Sequence, residues 1–439
     1  MRLLPLNIAM ISMHSSPVGR LGTPDTGGMS VYIRELAREM GRCGHRVDIF
    51  TRGESGGAPG SAKAIAEKVR LVSLTAGNGK LPKQALYPHV PAFCNPLDRF
   101  QSAAGRRYDL IHSHYWLSGV AGERARQAWR APHITTFHTL GAMKVRACGP
   151  DSEPPERLRA ENKLAAVCDR ILITSAREKD NLLRCTSARA EAVAVVPCGV
   201  NLDLFQPVPK PEARRKIDAD MEAPLLLFVG RIAPEKGLDR LIGALARLRH
   251  HRELRAIIVG GEGRRDPGLR QVEALARRMG VAGRIRFIGR VEQPELASFY
   301  SAADLLVLPS AYESFGMVAL EALACGTPVV ATPVGAMEEL LRDGGSGRIA
   351  ADFSVPSLAD AIEQTLQDRE RRPVAPEIVR RSALRFSWHR VAADVLRIYK
   401  RVLAPRTPAH DPAEFGHHRH SAGAACCGCG VYAALGSGR

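Results

Sequence analysis

Two glutamates, Glu313 and Glu321, and a cation pair, Arg231 and Lys236, are the side chains whose types and spacing could do chemistry. Carboxylates grip hydroxyls. A guanidinium neutralises phosphate oxygens bidentately, and an ammonium does so as a point charge. Glu313 falls in the loop after an apolar strand at 304–308 that breaks at Pro309. Glu321 falls inside the short helix that follows, on a face expected to point back toward that loop. The first turn of this helix is expected to contain Phe315, Gly316 and Met317, so the N–H groups of Ser314, Phe315, Gly316 and Met317 lie at its positive end, where an anion is welcome. Arg231 and Lys236 follow a buried strand in Leu227-Phe228-Val229-Gly230-Arg231-Ile232-Ala233-Pro234-Glu235-Lys236-Gly237. Together these groups suit a nucleoside-diphosphate sugar, with its diphosphate on the cations and helix N-terminus and its hydroxyls on the glutamates. The plain alternative is a set of helix-start acids and a surface salt bridge. Both segments occurring in one chain favours the ligand.

Further candidates follow strand ends in the first half. Thr26-Gly27-Gly28-Met29 runs directly into a helix, and paired glycines at a helix start let a diphosphate approach the backbone with no Cβ in the way. Ile134-Thr135-Thr136-Phe137-His138-Thr139 is a strand ending in His138, a position where a lone histidine is more often structural. Ile111-His112-Ser113-His114-Tyr115-Trp116 likewise ends a strand and starts a helix.

The elements that must position these groups alternate. In the first half, strands are expected at 7–12, 46–50, 70–74, 109–113, 133–138, 170–174 and 193–197, and helices at 28–43, 117–129, 156–168 and 177–185. The Gly/Ser/Pro-rich stretch 53–62 reads as a loop. Residues 198–210 carry two prolines and no periodicity, as an interdomain linker does. Alternation then resumes, with strands at 224–230, 255–260, 284–288, 304–308 and 328–332 and helices at 237–249, 267–280, 292–302 and 336–342. Strand–helix alternation implies an α/β fold with parallel sheets covered by helices on both faces. The expected organisation is two Rossmann-like doubly wound domains, 1–203 and 204–386, a helix over 387–405, and a disordered tail over 406–439. Val391, Val395, Ile398 and Val402 line one face of that helix.

The Glu313-x7-Glu321 pattern, overlapping the string Gly-Met-Val-Ala-Leu-Glu-Ala at 316–322, and the Gly-Arg-x4-Lys-Gly segment at 230–237 resemble the retaining glycosyltransferases of the GT-B fold, family 4. Motifs of this kind run from residue 8 to about 400. The resemblance implies two domains facing across a cleft, with the last helix crossing back to the first. It implies that Arg231 and Lys236 stabilise the leaving diphosphate, that the Gly27-Gly28 loop closes over it, and that Glu313 binds donor hydroxyls rather than acting as a nucleophile. Glu321 would hold the ribose, and His138 would face the sugar or the reacting centre. Tyr115, with Lys83, Thr139, Lys144 and Arg157, resembles the phosphate-binding set of the inositol-phosphate N-acetylglucosaminyltransferases of mycothiol synthesis, which sucrose-phosphate synthases share in part. A lysine, an arginine and two hydroxyls are what a phosphomonoester needs. Lys80 could stand in for Lys83. The implied reaction is hexosyl transfer from a nucleoside-diphosphate sugar, commonly UDP-linked, to an acceptor hydroxyl. Lipid-linked or glycan acceptors, a sucrose-phosphate-synthase-like activity, epimerisation and mere binding are the rival readings. No Asp-x-Asp stands where a metal-dependent transferase would want one, so no obligatory metal or other cofactor is expected beyond the sugar nucleotide.

Composition bounds the rest. The chain of 439 residues is long enough for two cores, with 45% hydrophobic and 24% charged residues. Its net charge of +17 is spread over helix faces without aromatic-studded basic motifs, so nucleic acid is not the expected partner. Anionic substrates or peripheral contact with anionic lipid fit better. No apolar run reaches the roughly 18 residues that span a bilayer and no cleavable signal pattern opens the chain, so a cytoplasmic location is expected, with the inner membrane surface open to it. Seven of the ten cysteines are scattered, as incidental thiols are. Cys426, Cys427 and Cys429 cluster near His417, His418 and His420 without a paired C-x2-C spacing, and an unstructured tail is expected there. The sequence carries no sign of oligomeric state.

Overall fold

The computed structural model describes residues 4–19, 26–53, 61–77, 81–103, 105–261, 266–342 and 345–404. Lys80 and the cysteine- and histidine-rich tail lie outside these residues.

Apolar runs bounded by turn residues become two sheets. The first contains β1 (Asn7–Ile11), β2 (Arg46–Arg52), β3 (Ser61–Ala66), β4 (Val69–Leu74), β5 (Leu110–His114), β6 (His133–Thr136), β7 (Arg170–Ile173) and β8 (Val193–Val195), in the order β3-β4-β2-β1-β5-β6-β7-β8. All neighbours are parallel except β3, which pairs antiparallel with β4 at the edge. The second contains β9 (Leu225–Val229), β10 (Arg255–Val259), β11 (Ile285–Gly289), β12 (Leu305–Leu308), β13 (Val329–Ala331) and β14 (Gly347–Ile349), wholly parallel in the order β11-β10-β9-β12-β13-β14. Every residue of β5, β9 and β12 is buried, as strands covered on both faces must be. Each sheet therefore has a switch point, where the strand order reverses. It lies between β1 and β5 in the first sheet and between β9 and β12 in the second.

One apolar cluster runs from Ile33 and Leu36 in the helix Gly28–Arg42, through Phe315 and Leu320, to Val391 and Tyr399 in the helix Trp388–Leu403. That last helix buries Trp388, Val391, Ala392, Val395, Leu396 and Tyr399. Its Tyr399 hydroxyl lies 2.6 Å from His112 Nδ1 on β5, and its Trp388 ring packs edge-on to Tyr32, centroids 5.4 Å apart. The helix thus lies on the first sheet's side, against Gly28–Arg42. Gly199 permits this return, because a Cβ there would sit 2.4 Å from the Trp388 ring.

Several expectations need correction. Ser61 and Ala62 belong to β3 rather than to a loop; the pairing with β4 draws Ser-Ala-Lys-Ala-Ile-Ala into the sheet despite its weak pattern. The strand expected at 133–138 ends at Thr136, because His138 turns to a left-handed φ of 61°. The helix expected to hold Phe315, Gly316 and Met317 in its first turn starts at Met317, since Gly316 at φ 102° is its cap. The helices Val90–Ala103, Gly141–Cys148, Val355–Arg371 and Pro376–Leu384 had no counterpart in the sequence reading.

Candidate active site

The second sheet's switch point brings the two carboxylate- and cation-bearing segments together. After β9 the chain forms a tight turn at Pro234–Lys236, and after β12 it passes through Pro309 to Glu313. Lys236 Nζ reaches Glu313 Oε1 at 2.6 Å, and Ser310 Oγ donates to the same oxygen at 2.9 Å. Gly237 makes the approach possible: it adopts φ 68°, and a Cβ there would meet the Pro309 carbonyl oxygen at 2.0 Å. Arg231 lies 3.4 Å from Glu235. Burial raises the Glu235 carboxyl, but the neighbouring Lys144, with Arg231 and Lys236, outweighs it and holds the group below the usual carboxylate range.

The partners of the Glu321 carboxylate come from outside the 309–316 loop. Glu321 is buried, accepts a hydrogen bond from Tyr300 at 2.7 Å and also meets Gln293. Burial raises its carboxyl to about 7, against which those two hydrogen bonds act. Glu313 and Glu321 therefore have separate sets of partners. Glu321 lines a cavity of about 440 Å³ together with Gly19, Arg34, Gln293, Met317 and Trp388.

The first sheet's switch point carries the other group. The ring of His14, just beyond β1, packs on that of Tyr115, just beyond β5, at a centroid distance of 4.4 Å. Tyr115 is held at φ 75° and ψ 157°, a region that side chains rarely occupy, and His138 beyond β6 also has a positive φ, as do Lys68, Arg130 and Asp218 elsewhere. Arg157 is fully buried and ties the group together. It donates to the Tyr115 hydroxyl at 3.1 Å and to the Thr139 hydroxyl and carbonyl at 2.9 and 2.7 Å, and it pairs with Glu161 at 2.7 Å and Glu153 at 2.9 Å. Burial lowers its affinity for a proton, but Glu161, Tyr115 and Glu153 more than reverse that. Burial, then Lys83, His138, Arg157 and Arg52, push the His14 imidazole down to about 3. That ordering places Lys83 and two arginines around His14. His14 was missed in the sequence. The available signal was its place after the first strand, at a sheet edge where ligands collect. Burial likewise lowers His138 to about 3, and its Nε2 lies 2.9 Å from His114 Nδ1.

The two halves meet at these edges. Lys144 Nζ lies 3.3 Å from Glu153 in its own half and 3.7 Å from Glu235 across the junction. A Cβ on Gly28 would come within 3.2 Å of Met317 Sδ, whereas one on Gly27 would meet nothing within 4 Å. The glycine turn therefore faces the N-terminus of the helix Met317–Ala324. Arg34 donates to Gln293 at 2.9 Å across the same junction. Arg231 and Lys236 thus stand beside the junction and not on outer surfaces. Lys144 joins the Arg157 group through Glu153 and the second half through Glu235, and of the candidate residues Met317 and Glu321 line the 440 Å³ cavity.

Two doubly wound lobes with their switch points turned to one crevice define the GT-B class of glycosyltransferases. Known proteins agree. Residues 209–380 match the family model of glycosyl transferases group 1, and residues 27–199 match the glycosyl transferase 4-like domain. The chain is 40% identical to D-inositol 3-phosphate glycosyltransferase 2 of Catenulispora acidiphila, over 92% of this chain and 96% of that protein. It is 36% identical to the D-inositol 3-phosphate glycosyltransferase of Xylanimonas cellulosilytica, over 91% and 97%. Among solved structures it superposes on sucrose-phosphate synthase of Thermosynechococcus elongatus with a TM-score of 0.83 and 30% identity, covering 91% of this chain and 99% of that one. The chain belongs to the family 4 glycosyltransferases of the GT-B fold, and it is a glycosyltransferase. Among the described residues no helix is long and apolar enough to cross a membrane.

The Arg157 group makes a prediction that is independent of catalysis. Arg157→Met leaves Glu161 buried without its counter-charge and Glu153 with Lys144 alone, which destabilises by about 3–5 kcal/mol at neutral pH. Chemical denaturation measures the loss, and Glu161→Gln in the same chain should recover part of it.

Proposed function

We propose that the chain transfers a hexosyl group, with retention of configuration, from a UDP-linked sugar to a hydroxyl of a phosphorylated small molecule of the inositol-phosphate class. The observation that carries this reading is that the loops bearing two complementary sets of side chains contact one another: Lys236, Glu313 and Glu321 on the second half, and the Arg157–Tyr115–Thr139 group with Lys83 and His14 on the first. The names of the similar proteins, D-inositol 3-phosphate glycosyltransferase and sucrose-phosphate synthase, share a phosphorylated acceptor. The solved HepE of Anabaena, alike in fold at 21% identity with a TM-score of 0.69 over 90% of this chain and all of that one, is complexed with UDP-glucose.

In this reading the lobe 1–203 holds the acceptor, the lobe 204–386 holds the donor, and the helix over 387–405 ties the second back to the first. The diphosphate lies against the free N–H groups at Ser314 to Met317, facing Gly27 and Gly28. An ammonium has three N–H groups. Lys236 can therefore keep Glu313 on one and offer the others to phosphate oxygens, with Arg231 beside it. As the anomeric C–O bond breaks, negative charge gathers on the departing diphosphate, and these donors are already oriented toward it. The acceptor oxygen bonds to the anomeric carbon on the same face, and its proton passes to a phosphate oxygen of the leaving group. Glu313, fixed by Lys236 and Ser310, accepts from sugar hydroxyls. Neutral His138, held at Nε2 by His114, adds a hydrogen bond without repelling the cations. Glu321 takes the ribose hydroxyls. On the acceptor side, Lys83 and the hydroxyls of Tyr115 and Thr139 receive the phosphate, while Arg157 fixes both hydroxyls and adds its charge. All seven cysteines among the described residues are free, which supports a reducing, cytoplasmic setting.

Lys236→Ala should lower kcat on the order of 10²-fold or more with the fold retained, as loss of other charge-stabilising donors does. Transfer from UDP-N-acetylglucosamine to D-inositol 3-phosphate, followed by UDP release, is the assay; full activity in this variant would remove the leaving-group assignment. Glu321 supplies a pH signature. Its ionised form grips hydroxyls and is lost as pH falls through about 7, so the donor KM should rise below neutrality by up to about tenfold per unit. The diphosphate diester of the donor does not titrate there. Glu321→Gln should give a high KM that no longer follows pH.

A further inference from the structure

The residues on either side of Glu313 are held by the opposite lobe. Its neighbour Tyr312 is buried, and the phenol oxygen stands between two groups of the first half. It accepts from the Leu140 N–H at 2.9 Å and donates to Glu178 Oε2 at 2.9 Å. On the other side, the Ser314 carbonyl accepts from the hydroxyls of Thr174 and Ser175, each at 3.1 Å. Glu178 is itself fixed. Asn181 donates to its other oxygen at 3.0 Å, and its backbone N–H caps on Ser175 at 3.2 Å. Leu140 follows His138 and Thr139 directly, and Gly141 after it donates to Glu161, the partner of Arg157. One hydroxyl therefore connects the loop that carries Glu313 to the loop that carries His138 and Thr139.

We propose that Tyr312 is a positioning residue for transfer: its hydroxyl sets the spacing between the donor loop at 312–316 and the acceptor loop at 138–141. The proposal rests on the glycosyl-transfer reading above. In that reading neither substrate contacts Tyr312, whose hydroxyl is taken up by Leu140 and Glu178. The Arg157 group is tied together within the first lobe and the Lys236–Glu313 pair within the second, so neither set of contacts depends on the Tyr312 hydroxyl. Transfer is different, because it needs the anomeric carbon and the acceptor oxygen aligned to within a fraction of an ångström, and that alignment depends on the two loops keeping one separation. Burial, followed by the charge of Glu178, raises the phenol's pKa well above its ordinary value, so the hydroxyl keeps its proton and remains a donor. Burial raises the Glu178 carboxyl to about 7, which fits a group enclosed by the two halves.

The test uses the full chain and Tyr312→Phe, which keeps the ring in its pocket and removes only the bridging oxygen. With UDP-N-acetylglucosamine and D-inositol 3-phosphate, kcat should fall at least about tenfold, while the Kd for UDP and the KM for the acceptor stay within about twofold. Glu178→Gln keeps an acceptor for the phenol and should retain activity within about threefold, a rescue that loss of stability alone would not give. A second readout needs no turnover. UDP should slow amide hydrogen exchange at 138–141 in the wild type, and this slowing should vanish in Tyr312→Phe at saturating UDP. A wild type that binds UDP and slows exchange at 138–141 but makes no product with this pair would count against the functional reading and leave the coupling standing. An active wild type whose Tyr312→Phe variant has unchanged kcat, or still slows 138–141 on UDP binding, would overturn the role of Tyr312.

Discussion

A parallel sheet sends all its strand-to-helix loops to one edge, and where the strand order reverses two neighbouring loops part and leave a crevice. In the second sheet that crevice is bridged by the 2.6 Å ion pair between Lys236 and Glu313. The rest of the site depends on this contact. A half-buried pair gains little net stability, because desolvation offsets much of the Coulomb attraction. What it provides is geometry: an ammonium with N–H groups to spare and a carboxylate with a lone pair to spare, fixed side by side. The chain bends to allow it, through the left-handed Gly237 on one side and the left-handed Gly316 on the other.

The first sheet repeats the arrangement with different chemistry. Its switch point is lined by His14 and Tyr115, and its strained residues, Tyr115 and His138, end adjacent strands. Strain of this kind persists only where the surroundings enforce it. Here the surroundings include Arg157, whose every branch is engaged by Tyr115, Thr139, Glu153 or Glu161. Charge is balanced locally: Arg231, Lys236 and Lys144 stand beside Glu235, Glu313 and Glu153. An arriving diphosphate meets cations whose positions are already set by carboxylates, so little reorganisation accompanies binding.

Much of this was legible before the coordinates. Strands buried on both faces leave unbroken apolar runs, which place β9, β12 and β13 from Leu225, Leu305 and Val329, while the shorter runs of β10 and the half-buried β11 place them from Arg255 and Ile285. The charged residues that follow strand ends, Arg231, Lys236 and Glu313, and the phenol of Tyr115 were legible for the same reason. What escaped had weaker local signals. The edge strand Ser61–Ala66 has small residues and takes its conformation from β4. Glu321's partners, Tyr300 and Gln293, come from another element, so its direction was set by packing that no local pattern records. His14 follows an ordinary strand end, and only the fold shows the cations around it. The contacts of Tyr312 with Leu140 and Glu178 join residues more than 130 positions apart, a separation at which periodicity is silent.

The central claim is that this crevice grips a diphosphate. Calorimetric titration of a nucleoside diphosphate against its own nucleoside tests it most directly, using whichever of UDP, ADP and GDP binds tightest. Two or more charge-assisted hydrogen bonds, each worth about 1.5–3 kcal/mol, should make the diphosphate bind on the order of 100-fold tighter or more. A nucleoside that binds within a few-fold of its diphosphate would contradict the account.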